Sequence, residues 1–134
     1  MKKNTNFYLN GNKISARSDE TIWEVAKKNG IDIPHLCHSG EIGYRSDGNC
    51  RACMVEIEGE RNLVASCIRK PTEGMKVITN NSRSKKARNM VLELLLSDQP
   101  EKEVAHDKSS HFWNMVENEG VSCSRFPKIE KDCV

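Results

Sequence analysis

CHSGEIGYRSDGNCRACMVEIEGERNLVASC, residues 37–67, holds four of the chain's six cysteines and the glycines that let the chain turn between them. Cys37 is followed by twelve residues and Cys50, two residues and Cys53, then thirteen residues and Cys67. Four thiolates are soft donors that suit an iron-sulfur cluster or a zinc ion. Structural zinc sites usually present two close pairs, each on its own turn. Here one C-x-x-C pair is joined by two widely separated single cysteines. The intervening loop includes Gly40, Gly43 and Gly48, which can take backbone conformations closed to other residues and let amides approach closely. A core of two irons and two sulfides bound by four thiolates is negative and gains one more charge on reduction, so N–H donors and cations must offset it. Arg45 and Arg51 are candidate cations, and read equally well as solvated surface arginines. The pattern favours one 2Fe-2S cluster on Cys37, Cys50, Cys53 and Cys67, with a structural zinc module as the alternative.

Other cysteine chemistries fit worse. A Rieske centre needs Cys-x-His and Cys-x-x-His pairs, but His38 directly follows Cys37, and His35 and His38 read as surface or supporting residues. A nucleophilic cysteine needs one activated thiol and a base, not four thiols. In a thioredoxin-like site the C-x-x-C opens a helix, whereas Cys50-Arg51-Ala52-Cys53 leads into the strand-like MVEIE.

Outward from this stretch the pattern is that of a small mixed sheet. Residues 6–17, NFYLNGNKISAR, place Asn10-Gly11 between two alternating segments, which predicts a strand, a type I′ turn and a strand. Thr21 and Glu24 have capping-box spacing at the head of a short helix that ends before Gly30. MVEIEGERNLVAS reads as two strands joined at Gly59-Glu60, and GMKVIT supplies a fifth. Five strands with a helix across one face predict an α+β fold, specifically a β-grasp, over residues 1–80.

Residues 81–134 read as a helical extension and tail. Ala87, Met90, Val91, Leu94 and Leu95 recur with helical spacing from Ser82 onward, while Leu92 and Leu96 lie off that stripe. So wide an apolar face, together with Phe112-Trp113, reads as a docking surface for a partner, or equally as a helix buried by its own tail. Residues 98–111 have linker composition, and a last short helix is expected between His111 and Val121.

Composition narrows the function classes. The 21 Lys and Arg nearly cancel 19 Asp and Glu, so net charge gives no reason to expect nucleic acid as a partner. The longest apolar segment, MVLELLL, is broken by Glu93, so no membrane span is expected. The opening MKKNTNFYLNGNK lacks the apolar run of a secretory signal, and a cytoplasmic location is expected. Six cysteines in a reducing compartment point to metal or redox chemistry more than to a disulfide framework. No G-x-G-x-x-G or phosphate loop is present, so catalysis is expected in a partner. An iron-sulfur redox sensor is the further alternative to an electron carrier.

The stretch GYRSDGNCRACMVEIEGERNLVASCIRKPTEGMKV, with VLELLLSDQP and HDKSSHFWNMVENEGVSCSRFP after it, resembles a known family. It is similar to the N-terminal 2Fe-2S domain of the alpha subunit of cytoplasmic NAD-dependent molybdenum or tungsten formate dehydrogenases. It more distantly resembles the matching domains of the complex I large iron-sulfur subunit and of iron-only hydrogenases. The resemblance implies a β-grasp ferredoxin domain in which Cys37, Cys50, Cys53 and Cys67 bind the cluster. It also implies electron transfer within a formate dehydrogenase-type or hydrogenase-type complex whose other subunits are the partners. The His-plus-three-Cys motif of the complex I and hydrogenase relatives has no match here, because His106 and His111 are not followed by closely spaced cysteines. Cys123 and Cys133 read as thiols on a polar tail, or as half of a site that a partner completes.

Overall fold

The computed structural model describes residues 3–36 and 48–126. Cys37, His38, Arg45 and Cys133 lie outside the described residues. The chain divides into two compact units, Met1–Arg88 and Asn89–Val134.

The first unit is built on a five-stranded mixed sheet of order β2-β1-β5-β3-β4, formed by β1 (Asn4–Leu9), β2 (Asn12–Arg17), β3 (Met54–Ile57), β4 (Val64–Ala65) and β5 (Lys76–Ile78). β1 and β2 form the expected hairpin, with Asn10 at φ 52° and Gly11 at φ 86°, the two left-handed residues that a type I′ turn requires. β1 pairs parallel with β5, and β3 pairs antiparallel with both β5 and β4. Helix α1 (Ile22–Lys28) starts at the capping box that Thr21 and Glu24 close reciprocally. Its Ile22, Trp23, Val25 and Ala26 join Phe7, Leu9, Val55, Ile57 and Val77 in one core cluster, which places the helix across one face of the sheet. Order and layering are those of the α+β β-grasp.

β4 is shorter than the sequence suggests. Glu60 N–H turns back onto the Ile57 carbonyl, Glu60 pairs with Arg69, and the Arg61 carbonyl accepts from Arg83 at 2.6 Å. These contacts take residues 60 and 61 out of the ladder.

Helix α2 (Ser82–Ser97) begins under an Asn81 cap, whose side-chain oxygen accepts from Ser84 N–H at 3.0 Å. Its most buried line differs from the apolar stripe. Ser84, Arg88, Leu92 and Leu96 are buried, whereas Leu94 is 49% exposed. Leu92, offered above to a partner, is fully buried, and Trp113 is buried as well. Apolarity alone could not rank Arg88 as an inward position. Its guanidinium is buried because it donates to the carbonyls of Met54 at 3.0 Å and Thr79 at 2.8 Å.

In the second unit a single 3-10 turn, Lys102–Val104, interrupts the expected linker, and α3 (His111–Asn118) ends before Gly120 at φ 74°. Residues 121–126 are tied to α2 through a two-point Arg125–Glu93 pair at 2.7 and 3.1 Å and a Ser124 hydroxyl donating to the Glu93 carbonyl. The Arg125 guanidinium holds the Glu93 carboxyl below its usual range. No helix among the described residues is long and apolar enough to cross a membrane.

Candidate metal centre

Three of the four cysteines singled out in the sequence are described, and each sits where local structure fixes it. Cys53 immediately precedes β3, and Cys67 is the second residue after β4. Because β3 and β4 are antiparallel neighbours, with Met54 opposite Ala65, the two cysteines are brought close although thirteen residues separate them. Both are buried. Their sulfurs are hydrogen-bonded, and this bond from Cys67 is the main reason the Cys53 thiol is lowered to about 6, with burial working in the opposite direction. A thiol so readily converted to thiolate beside a second buried sulfur is suited to a soft metal centre.

Cys50 is less buried and lies on the turn before Cys53. Arg51, between them, has φ 60°, a left-handed conformation costly for a residue with a side chain and found where a site imposes it. The turn folds tightly enough for the Ala52 N–H to reach the Cys50 sulfur at 3.5 Å, one of the amide donors that thiolate charge calls for. Arg51 is itself exposed, so its visible contribution is made through the backbone. Upstream, Gly48 has φ 68°, and a Cβ there would stand 2.7 Å from the Ile68 Cδ1. The turn that carries Cys50 and the turn that carries Cys67 thus touch at Gly48.

The Cys67 turn is held from the other side by α1. A helix leaves its first N–H groups without intrahelical partners. Here Ile22 N–H donates to the Arg69 carbonyl at 2.9 Å and Trp23 N–H to the Ser66 carbonyl at 3.0 Å. The Trp23 indole donates to the Ile33 carbonyl at 2.9 Å and stacks edge-on against His35 with ring centres 4.4 Å apart. Helix, His35 segment and Cys67 turn are thereby joined. The contributions of Trp23, Ser66 and Arg88 carried no motif, because each acts on a residue distant in the chain.

Among the described residues no group of three His, Cys, Asp or Glu side chains converges closely enough to hold a metal ion. The donor chemistry nevertheless fits an iron-sulfur centre: soft sulfurs, two of them buried and paired, the Ala52 amide turned toward the Cys50 sulfur, and a glycine where the turns meet. Cys123 is exposed in the second unit.

Known proteins agree with this chemistry. A family model described as the 2Fe-2S iron-sulfur cluster binding domain matches residues 2–82. The chain is 44% identical over 96 residues to the NADP-reducing hydrogenase subunit HndD of Solidesulfovibrio fructosivorans, covering 69% of this chain and 16% of that protein. It is 37% identical over 95 residues to the NADH-ubiquinone oxidoreductase 75 kDa subunit of Reclinomonas americana, covering 71% of this chain and 14% of that one. The chain therefore spans about one-sixth or less of the length of these relatives. Among solved structures, an NAD+-reducing NiFe hydrogenase in the H2-reduced state aligns with 97% of this chain and 55% of its own, at TM-score 0.83 and 25% identity.

Proposed function

Because the chain belongs to the 2Fe-2S iron-sulfur cluster binding domain family, and so binds a 2Fe-2S cluster, we propose that it relays single electrons within a multi-subunit oxidoreductase, with Cys37, Cys50, Cys53 and Cys67 as cluster ligands. The bound cluster supplies a one-electron couple, and the protein supplies its placement and its potential. The observation that carries this reading is the buried, hydrogen-bonded Cys53 and Cys67 pair beside the strained Cys50 turn. Cys53 and Cys67 set two sulfurs beside the paired ends of β3 and β4, and the Ala52 amide offsets charge on Cys50.

The relatives are hydrogenase and NADH-ubiquinone oxidoreductase subunits, which supports a partner complex of the hydrogenase or NADH dehydrogenase kind. The finer assignment, to a formate dehydrogenase complex in the cytoplasm, rests on the sequence resemblance of residues 43–77.

The test is anaerobic purification with metal and sulfide analysis, followed by electron paramagnetic resonance of the dithionite-reduced protein. About two irons and two sulfides per chain are expected, with a red-brown colour and a one-electron signal on reduction. Changing Cys37, Cys50, Cys53 or Cys67 singly to serine should deplete the cluster or alter its spectrum. A colourless, zinc-loaded protein would overturn the reading.

A further inference from the structure

The potential of a site that gains negative charge on reduction depends on how far water reaches it. Among the described cysteines of the site, Cys53 and Cys67 are buried and Cys50 is only half-buried. Water therefore meets these sulfurs first along the Cys50 turn, which opens with Gly48. Ile68 lies against that glycine: its Cδ1, Cγ1 and Cγ2 would stand 2.7, 3.3 and 3.4 Å from a Cβ placed there. Gly48 is buried, although Asn49 and Arg51 just after it are exposed. Ile68 does not belong to the core cluster that takes in Cys53 and Cys67, and it is half-exposed, so one side of it covers Gly48 while another meets solvent. Its backbone is held in place. The N–H groups of Ile68 and Arg69 both donate to the Ala65 carbonyl, at 3.3 and 3.2 Å, and the Arg69 carbonyl accepts from Ile22 N–H at the start of α1. The side chain is thus kept across the join between the turn that carries Cys50 and the turn that carries Cys67.

We propose that Ile68 is the water-excluding cover of the site, closing the join between the two cysteine turns and so holding the midpoint potential low. The inference rests on Cys50 and Cys67 being cluster ligands. One electron, from dithionite in the test, enters on reduction, and no bond of the protein forms or breaks. An apolar cover withholds from the more negative, reduced state the stabilisation that water would give it, so removing the cover raises the midpoint. A residue that served only to pack the turns together would change stability and leave the potential where it was.

The experiment is a redox titration of the full-length holoprotein, read by visible absorbance and electron paramagnetic resonance, with bleaching by an iron chelator timed in parallel. Ile68→Ala, with its iron and sulfide retained, should show a higher midpoint and faster bleaching, and Ile68→Leu, which restores the apolar bulk, should return toward wild type. Leu94→Ala removes another half-exposed apolar side chain, one in the second unit, and should leave the midpoint at the wild-type value. An intact cluster with an unmoved midpoint in Ile68→Ala overturns the proposal, whatever its bleaching rate or melting temperature. Should Ile68→Ala fail to retain its cluster, the isosteric pair Ile68→Val and Ile68→Thr decides. A higher midpoint in the threonine variant supports the proposal, and equal midpoints overturn it. Cys50→Ser and Cys67→Ser are titrated alongside. Unchanged clusters there sink the ligand assignment, whereas perturbed ones with an unmoved Ile68→Ala sink only the role of Ile68.

Discussion

Replacing Gly48 by alanine tests whether the Cys50 and Cys67 turns meet as described. Gly48 is buried at φ 68°, a conformation that costs a residue with a Cβ about 1–2 kcal/mol. The added carbon would stand 2.7 Å from Ile68 Cδ1, with Cγ1 at 3.3 Å and Cγ2 at 3.4 Å, so something must move. Overpacking typically costs about 1–3 kcal/mol. Ile68 is 45% exposed and can swing outward, which puts the steric share near about 1 kcal/mol. The total of about 2–3 kcal/mol corresponds to a fall of roughly 10–20 °C in melting temperature for a unit of this size. Thermal unfolding of the holoprotein by circular dichroism measures it, with the cluster's visible absorbance recorded in the same scan. The double variant Gly48→Ala/Ile68→Ala should recover about 1 kcal/mol relative to the sum of the two single changes, and should not recover the backbone share. An unchanged melting temperature for Gly48→Ala would refute the left-handed requirement. Strict additivity in the cycle would refute the contact between the turns.

Arg88→Met should destabilise the fold by about 1.5–3 kcal/mol for each lost charge-assisted bond, since the carbonyls of Met54 and Thr79 lose their donor; urea unfolding measures the loss. Leu92→Asp should cost more than the about 2–5 kcal/mol of a typical buried leucine truncation, while Leu94→Asp, at a half-exposed site, should stay within about 0.5 kcal/mol. Equal effects in the same unfolding assay would contradict the buried line of α2. Thr21→Ala removes the capping-box hydroxyl of α1 and should lower stability by about 1 kcal/mol, with Thr21→Ser close to wild type in the same melts. The Glu93 carboxyl is lowered from an ordinary 4.5 by Arg125, so its contribution is complete above that value and is lost as pH falls through the lowered one. Protection of the Phe126 amide, its exchange rate relative to the intrinsic rate at the same pH, should fall over that acid range, and Arg125→Ala should lack that protection at every pH; wild-type protection unchanged into strong acid refutes the pair.

Short-range chemistry was legible in the residues themselves. Asn10-Gly11 specified its turn because few residue pairs tolerate two consecutive left-handed conformations. Thr21 and Glu24 specified the start of α1 because a capping box closes within four residues. The cysteine spacing pointed to a soft metal centre, and the family carries the 2Fe-2S cofactor that this spacing favoured. Tertiary structure decided what depends on partners far along the chain. Arg88 is buried because carbonyls 34 and 9 residues away accept hydrogen bonds from its guanidinium. Ser66 reaches Cys53 across thirteen residues only because β3 and β4 are neighbours. A local pattern records the conformation a residue prefers, whereas a long-range hydrogen bond is recorded only once the sheet has put its two ends together.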